Sequence, residues 1–147
     1  MIEGVYPQAK GTKMVGVART LRFVAGREDL FKSHGGGLNE QKKVFDTVKE
    51  GEVIVIEARQ ESGSGTLGDI LALRAKVRGA AGVVTDGGVR DYEAVKEIGL
   101  PVFTQGAHPC VLGRKHVPWD SDIAVSCGNA TVPVSYTHLR AHETDSY

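Results

Sequence analysis

The sequence predicts an α/β domain with a largely parallel sheet. Short apolar segments rich in β-branched residues alternate along the chain with segments of helical periodicity. The links between them are short, and several contain glycine. This alternation is typical of parallel strands joined by right-handed helical crossovers. A chain of 147 residues is also long enough to bury one hydrophobic core.

The predicted strands are short and mostly apolar. The run VIVI at residues 53–56 has no polar position, which is typical of a strand buried on both faces. Beyond Gly106 the alternation weakens, and Pro133 interrupts the last segment. The predicted strands cover residues 14–24, 53–56, 82–85, 101–104, 122–127 and 130–134.

Three segments are predicted to be helices, each with apolar residues at helical spacing and a glycine at its end. Asn39 and Asp91 are the predicted N-caps of the first and third helices. Val44, Phe45 and Val48 form the apolar face of the first helix. The predicted helices cover residues 39–50, 67–78 and 91–98, and they are closed by Gly51, Gly79 and Gly99.

The second predicted helix is expected to supply apolar surface through five side chains. These are Ile70, Leu71, Leu73, Ala75 and Val77. Residues 26–37 and 59–65 are polar and contain glycine, and they are predicted to be loops.

Composition narrows the classes of function. Eighteen basic residues balance eighteen acidic ones, which argues against a dedicated nucleic-acid binder. No apolar run approaches membrane-spanning length, and the start of the chain lacks the pattern of an export signal. We therefore expect a soluble cytoplasmic protein in which Cys110 and Cys127 are reduced. Three histidines lack metal-type spacing and are predicted to be loop residues: His34, His108 and His116.

Two loops follow predicted strands at their carboxyl ends, where parallel sheets bind ligands. The first contains GSGTLGD at residues 63–69, and the second is DGGVRD at residues 86–91. If the two strands are neighbours, the loops face each other. The first loop matches the G-x-G-x-x-G pattern of dinucleotide-binding proteins. Its distance from the preceding strand and the acidic Asp69 at the helix start argue against a nucleotide. A flexible loop with glycines at turn positions is the structural alternative.

A third interpretation is a site for a small anion. Backbone N–H groups of Thr66, Leu67 and Gly68 at a helix start can bind a carboxylate, and Arg90 offers a planar fork that grips one. Hard oxygen ligands for a water-rich Mg²⁺ or Mn²⁺ come from three aspartates, Asp69, Asp86 and Asp91. Together these groups suit a 2-oxo acid. The structural alternatives are that Asp91 only caps a helix and that Arg90 only pairs with Asp86 or Asp91.

Residues 67–91, LGDILALRAKVRGAAGVVTDGGVRD, resemble the signature of RraA-like proteins. The similarity extends to EGVYP and VGVARTLRFV upstream and LPVFTQG downstream, about residues 2–132. The family includes ribonuclease-activity regulators and 4-hydroxy-4-methyl-2-oxoglutarate / 4-carboxy-4-hydroxy-2-oxoadipate aldolases. Regulators tend to lack one or both aspartates that correspond to Asp69 and Asp91, and this sequence keeps both.

The resemblance implies a swivelling-type β/β/α domain that assembles as a homotrimer with sites near subunit interfaces. It implies a metal-dependent class II pyruvate aldolase with oxaloacetate decarboxylase activity; the alternative is a non-catalytic ribonuclease regulator that binds a protein. By the same resemblance, Arg90 and the backbone of the first loop would hold the pyruvyl carboxylate. Asp91 would hold Mg²⁺ or Mn²⁺ largely through water, and Asp69 would orient or deprotonate a catalytic water.

The resemblance also implies that the domain is incomplete at both ends. Family members usually carry a helical segment before the matched region and a strand pair with a terminal helix after it. We expect one domain over residues 1–134 and a disordered, non-family tail over residues 135–147, which lacks apolar periodicity. Loss of the closing segment is expected to expose Ile123, Val125 and Val132.

Overall fold

The computed structural model describes Ile2 and residues 4–61, 65–107, 116–136 and 139–142. The helices in these parts of the chain are α1 (Glu28–His34), α2 (Glu40–Thr47), α3 (Asp69–Val77) and α4 (Tyr92–Ile98). The strands are β1 (Tyr6–Pro7), β2 (Lys13–Ala25), β3 (Glu52–Glu57), β4 (Gly82–Thr85), β5 (Gly88–Val89), β6 (Val102–Thr104), β7 (Gly106–Ala107), β8 (His116–Ser121), β9 (Val125–Cys127), β10 (Ala130–Val132) and β11 (Leu139–His142). No helix within the described ranges is long and apolar enough to cross a membrane.

A mixed sheet forms the centre of the fold. Its strand order is β1-β6-β4-β3-β2-β11, and β8 also pairs with β2. The inner strands β2, β3, β4 and β6 pair in parallel, whereas β1, β8 and β11 are antiparallel to their neighbours. The prediction of a largely parallel sheet is therefore confirmed for the inner strands and wrong for the edges. The edge pairings join segments that are short or distant along the chain, so local periodicity does not reveal them.

The hydrophobic core has two parts, one on each face of this sheet. Ile54 and Ile56 of β3 belong to the part that contains the buried residues of α2, α3 and α4. Val53 and Val55 belong to the part that contains the β9–β10 hairpin. All four side chains are fully buried, which confirms the prediction from the VIVI run. Each such burial contributes roughly 1.5–3 kcal/mol.

Helices α2 and α4 lie where the sequence predicts them. Asn39 caps α2, because its side-chain oxygen accepts the Lys42 N–H at 2.9 Å. The helix ends at Thr47, earlier than predicted, since Val48 already has an extended ψ of 140°. Gly99 closes α4 with a left-handed φ of 84°, a conformation that glycine adopts without steric cost.

Helix α1 lies in a segment predicted to be a loop, so that prediction is wrong there. The helix buries none of its residues and therefore has no apolar stripe that the sequence could reveal. Its charges match the helix dipole, with Glu28 and Asp29 in the first turn and Lys32 and His34 in the last. His34 also stacks on Trp119 of β8, with ring centroids 4.3 Å apart.

Helix α3 faces the core with its small residues. Ala72 and Ala75 are fully buried, whereas Ile70, Leu73 and Val77 are 78%, 51% and 76% exposed. The apolar surface predicted for this helix is therefore divided between the core and the solvent. Alanine at the contact lets α3 approach its neighbours closely, and the larger residues are left as a stripe at i, i+3 and i+7 on the outer face.

The β9–β10 hairpin covers the face of the sheet opposite the helices. Val125 and Val132 are buried, and Ile123 packs partly buried beside them. The prediction that these three would be exposed is wrong, because the hairpin itself folds onto the sheet. The sequence does not predict β8, which contains Pro118 and places His116 in the interior rather than in a loop.

Part of the predicted tail belongs to the sheet. Strand β11 pairs with residues 13–16 of β2, and the Ser135 N–H donates to Ala18 O at 3.2 Å. The expectation of a disordered tail is therefore wrong for β11; positions 137, 138 and 143–147 lie outside the described residues. A segment without apolar periodicity can still pair, because an edge strand offers its backbone N–H and C=O groups to any chain. The domain boundary at residue 134 stays a prediction.

Ile54 of β3 tests this account of the core. Ile54→Ala should lower the free energy of unfolding by about 2–5 kcal/mol, because it leaves a cavity in a closely packed interior. Leu38→Ala is the control, since Leu38 is 76% exposed, and it should change the free energy of unfolding by less than about 0.5 kcal/mol. Urea denaturation of both variants measures the difference. Similar losses at the two positions would contradict the assignment of Ile54 to the core.

Candidate functional site

The two predicted loops face each other at the carboxyl ends of β3 and β4. These strands are parallel neighbours, so the condition stated for facing loops is met. The Thr66 N–H donates to Gly88 O at 2.8 Å, and the Arg90 N–H donates to Leu67 O at 2.9 Å. The two loops are therefore joined through their backbones beyond the ends of the strands.

A cavity of about 250 Å³ opens where the loops meet. Four predicted site residues line it, namely Thr66, Leu67, Gly68 and Arg90. The remaining wall comes from α2, the first loop and α3, through Gln41, Gly65, Ile70 and Leu71. Among these described residues Arg90 alone is charged, so the cavity favours a small anion. Its volume is below the usual range for drug-sized ligands.

The backbone amides before α3 differ in availability. The Thr66 N–H and the Thr66 hydroxyl both donate to Gly88 O, at 2.8 and 3.0 Å. The Thr66 amide is therefore not available to an anion. Of the three amides predicted to bind one, those of Leu67 and Gly68 remain. Within the described part of the chain, the N–H groups of Leu67, Gly68 and Asp69 have no protein acceptor. First-turn amides of this kind bind carboxylates.

The guanidinium of Arg90 lies against Gly68. A Cβ at Gly68 would stand 3.0 Å from Arg90 Nη2 and 3.2 Å from Arg90 Nε, so glycine permits the close approach. Arg90 Nε is 3.6 Å from Asp91 Oδ2, which is longer than the ~2.7–2.9 Å of a charge-assisted hydrogen bond. This loose contact leaves the planar fork available to an anion. A purely structural ion pair between Arg90 and Asp91 is correspondingly less favoured.

Asp91 has a left-handed backbone, with φ 54° and ψ 47°. Its carbonyl accepts the Val95 N–H at 2.9 Å and so begins α4, but its side chain caps no amide. The predicted cap position is confirmed, whereas the capping bond is absent because caps require an extended backbone. Asp91 Oδ2 instead lies 3.2 Å from where a Cβ at Gly68 would stand. Left-handed backbone at a non-glycine residue costs on the order of 1–3 kcal/mol and is frequent at functional sites.

The other two aspartates occupy different surroundings. Asp69 begins α3, and its Oδ1 accepts the Ile70 N–H at 2.9 Å; it stands at the helix start without lining the cavity. Asp86 is 2% exposed, and its Oδ1 accepts the Ala58 N–H at 2.6 Å. Burial raises the pKa of Asp86. The interpretation of Asp86 as a metal ligand is wrong, because its carboxylate is turned into the interior.

The carboxylate beside the cavity fits a hydrated divalent cation rather than an all-protein cage; Asp91 follows the lining residue Arg90 but does not itself line the cavity. In the ranges that the structure describes, no three His, Cys, Asp or Glu side chains come together as metal ligands. Mg²⁺ usually keeps several waters and binds through one or two carboxylates. Asp91 is a half-exposed carboxylate beside Arg90 and could hold such an ion largely through water.

Gln41 is a polar residue of the cavity that the sequence analysis does not assign to the site. Its side chain is 5% exposed, and Nε2 donates to Thr66 O, so α2 supports the first loop. The sequence does contain a signal that Gln41 is buried. Gln41 precedes Val44 and Phe45 by three and four residues and therefore shares their buried helix face.

Some predicted features lie outside the described residues, namely Gly63, Ser64, His108 and Cys110. The dinucleotide pattern of the first loop therefore stays an untested alternative at its first glycine. Cys127 is a buried free thiol, and burial raises its pKa, with Asp86 adding to the effect.

Comparison with known proteins identifies the class to which this fold and site belong. The profile of the RraA-like family, described as Aldolase/RraA, matches residues 2–135. The chain therefore belongs to the Aldolase/RraA family.

Individual relatives agree with this assignment. A Halalkalibacterium halodurans protein provisionally named 4-hydroxy-4-methyl-2-oxoglutarate aldolase is 28% identical over 128 residues, which are 87% of this chain and 56% of that protein. An Aromatoleum aromaticum protein of the same provisional name is 32% identical over 117 residues, 69% of this chain and 73% of its own length.

A solved structure has the same fold. The crystal structure of Streptomyces coelicolor RraAS2, described as an unusual member of the RNase ES inhibitor RraA protein family, is 32% identical with a TM-score of 0.78. The match covers 90% of this chain and 63% of RraAS2. The chain thus spans 56% of the Halalkalibacterium protein and less than two thirds of RraAS2.

Gly68→Ala tests the close approach of Arg90. The backbone φ of Gly68 is −126°, which alanine adopts readily, so the new methyl should displace Arg90 and Asp91 rather than unfold the chain. The probe is oxalate, a small dicarboxylate, in the presence of Mg²⁺. Its affinity for the protein should fall about tenfold, equivalent to about 1.4 kcal/mol, while the melting temperature stays nearly unchanged. Gly36→Ala is the control, since nothing lies within 4 Å of a Cβ there. Calorimetric titration that finds equal affinities for both variants would contradict the arrangement.

Asp91→Gly separates stability from binding. Removing the side chain relieves the left-handed strain, so the free energy of unfolding should stay level or rise by up to about 1 kcal/mol. Mg²⁺-dependent oxalate binding should be lost with the carboxylate. Ser135→Gly, at φ 58°, is a control that should relieve similar strain and keep binding. Binding that survives in Asp91→Gly would exclude Asp91 as the cation ligand.

Proposed function

We propose that this chain forms the pyruvyl-binding part of a divalent-metal-dependent class II pyruvate aldolase. The reaction is retro-aldol cleavage of a 4-hydroxy-2-oxo acid to pyruvate, with decarboxylation of oxaloacetate as a second activity. The observation that carries the proposal is the arrangement of Arg90 beside the free amides of Leu67 and Gly68 on one small cavity.

The substrate carboxylate is the group that this arrangement suits. The planar fork of Arg90 can form two parallel bonds to a carboxylate, and the first-turn amides of α3 add donors at the positive end of the helix. Gly68 keeps both sets of donors close together. A three-carbon 2-oxo acid fits a cavity of about 250 Å³.

Asp91 would hold Mg²⁺ or Mn²⁺ largely through water. When bound, such a cation supplies Lewis-acid chemistry, which stabilises negative charge that develops on the 2-oxo oxygen. The half-exposed position of Asp91 leaves room for the hydration shell that these ions keep. Leu67, Gly68 and Arg90 meanwhile fix the carboxylate, so the bond that breaks has a defined orientation.

Asp69 would handle the proton of the distal hydroxyl. One of its carboxylate oxygens accepts the Ile70 N–H, which fixes the side chain and leaves the second oxygen for a water. Through that water Asp69 removes the hydroxyl proton, the carbon–carbon bond breaks, and the distal fragment leaves as a carbonyl compound. The remaining enolate takes a proton from water to give pyruvate. Oxaloacetate loses CO₂ to reach the same enolate and needs no base.

A homotrimer is part of this proposal. Ile70, Leu73 and Val77 form an exposed apolar stripe on α3, and Ile70 also borders the cavity. A neighbouring subunit would cover that stripe and close the site from the outside.

A second candidate function is regulation of a ribonuclease by protein binding. The same exposed stripe on α3 favours it, since apolar surface of this kind suits a protein partner. RraAS2, the structural relative, is described as belonging to an RNase inhibitor family. Catalysis separates the two candidates, because a binding surface on α3 does not require the donors around Arg90.

Oxaloacetate decarboxylation tests the enzyme proposal. With Mg²⁺, the protein should release pyruvate faster than the same Mg²⁺ alone, and a chelator should abolish the difference. Arg90→Lys should lower kcat/KM by about 30- to 900-fold, equivalent to about 2–4 kcal/mol of transition-state binding and nearly as much as Arg90→Ala, because a point charge cannot replace the fork. Arg74→Lys is the control and should keep full activity, since the Arg74 side chain pairs with Asp46 at the surface and does not line the cavity.

Two results would count against the enzyme. Full activity in Arg90→Lys would remove Arg90 from the carboxylate site. Protein without any rate above the Mg²⁺ background, combined with no measurable oxalate binding, would favour the regulator.

A further inference from the structure

Asp86 is a buried carboxylate at which three loops meet. Its Oδ1 accepts the Ala58 N–H at 2.6 Å. Burial raises the pKa of this carboxyl, and the nearby backbone amides of Gln60 and Gly128 oppose that rise. Ala58 and Gln60 lead from β3 into the first loop of the cavity, and Gly128 lies in the β9–β10 turn. The Asp86 side chain therefore lies between the segment that leads from β3 towards the cavity and the hairpin on the opposite face of the sheet.

The chain at residues 58–60 is shaped to enclose this carboxylate. Arg59 and Gln60 have φ of 55° and 56°, so two successive non-glycine residues are left-handed. Each such residue is disfavoured by its own sterics. Successive amides in turns of this kind can converge on one anion. The acceptor provided by Asp86 is what offsets the unfavourable backbone.

The position of Asp86 is transmitted to the cavity through the residues that follow it. At Gly87 a Cβ would stand 2.8 Å from both Ala58 Cβ and Thr66 Cγ2, so this backbone is in contact with the segment after β3 and with the first loop. Gly88 O then accepts the Thr66 amide and hydroxyl. Two residues further, the Arg90 N–H donates to the backbone of the first loop.

We propose that Asp86 is a positioning residue for the cavity, acting through Ala58, Gln60 and Gly87 to hold Thr66 and Arg90 in place. This inference rests on the proposed function for its catalytic meaning, because Asp86 does not itself line the cavity. A side chain needed only for packing would be apolar here, since a buried carboxylate is costly without its hydrogen-bond donors.

Asp86→Asn is the variant that tests this role, because it keeps the shape and replaces one acceptor oxygen by an N–H donor that faces backbone amides. We expect the Kd for oxalate with Mg²⁺ to rise at least tenfold. Amide hydrogen exchange should become at least tenfold faster at Ala58, Thr66 and Arg90, with the exchange of β6 unchanged.

Thr20→Val is the matched control for lost stability. Thr20 is also fully buried, and its hydroxyl donates to Ile123 O at 2.6 Å and accepts the Ile123 N–H at 3.0 Å. It joins a turn to β2 and not to the cavity loops. Thr20→Val should lower the melting temperature while the Kd for oxalate stays within twofold.

The wild-type protein supplies a test that does not depend on a variant folding. Saturating oxalate with Mg²⁺ should slow amide exchange at Ala58 and Gln60 at least threefold, because coupling between two sites is reciprocal. Bound oxalate that leaves these amides unchanged would overturn the proposal. An unchanged Kd in folded Asp86→Asn, or an equal rise in Thr20→Val, would also overturn it.

Failure of the proposed function gives a different pattern. If the wild-type protein binds no oxalate, the proposed aldolase site is contradicted. The positioning role of Asp86 is then tested by amide hydrogen exchange in Asp86→Asn. Selective acceleration at Thr66 and Arg90 in Asp86→Asn then supports its positioning role, and uniform acceleration throughout the chain overturns it.

Discussion

The parallel pairing of β3 with β4 is the constraint on which the rest of this structure depends. Residues 53–56 lie in register with residues 82–85, and both faces of the pair are covered, by helices on one side and by a hairpin on the other. Parallel neighbours end at the same edge of a sheet, so the loops that follow them must meet. The cavity lies at that edge because the buried pairing of β3 with β4 brings the two loops together there.

Below the cavity, buried polar groups extend the hydrogen bonding of the sheet into the loops. Thr66 donates twice to Gly88 O, the Thr104 hydroxyl donates to Gly87 O at 2.7 Å, and Asp86 accepts the Ala58 N–H at 2.6 Å. Interior polar groups stabilise a structure only when their partners are present. This network therefore gives the loops one arrangement and supports Arg90 on rigid backbone, as a preorganised anion site requires.

At the rim of the cavity, several residues depart from the conformation or orientation that local sequence rules favour. Asp91 adopts a left-handed backbone instead of an ordinary cap, and Gly68 occupies a position where any side chain would crowd Arg90. On α3, large apolar residues face outward while alanines face the core. Departures of this kind from local rules are expected at functional sites and at interfaces, where another requirement outweighs local stability.

The sequence by itself determined the features that short windows encode. The inner strands, the Asn39 cap, the Gly99 helix end and the family resemblance over Leu67 to Asp91 all follow from adjacent residues. Tertiary structure alone decided the antiparallel edges, the pairing of β11, the outward face of α3 and the burial of Asp86. These depend on contacts between residues far apart along the chain, such as Asp86 with Ala58, which no local periodicity records.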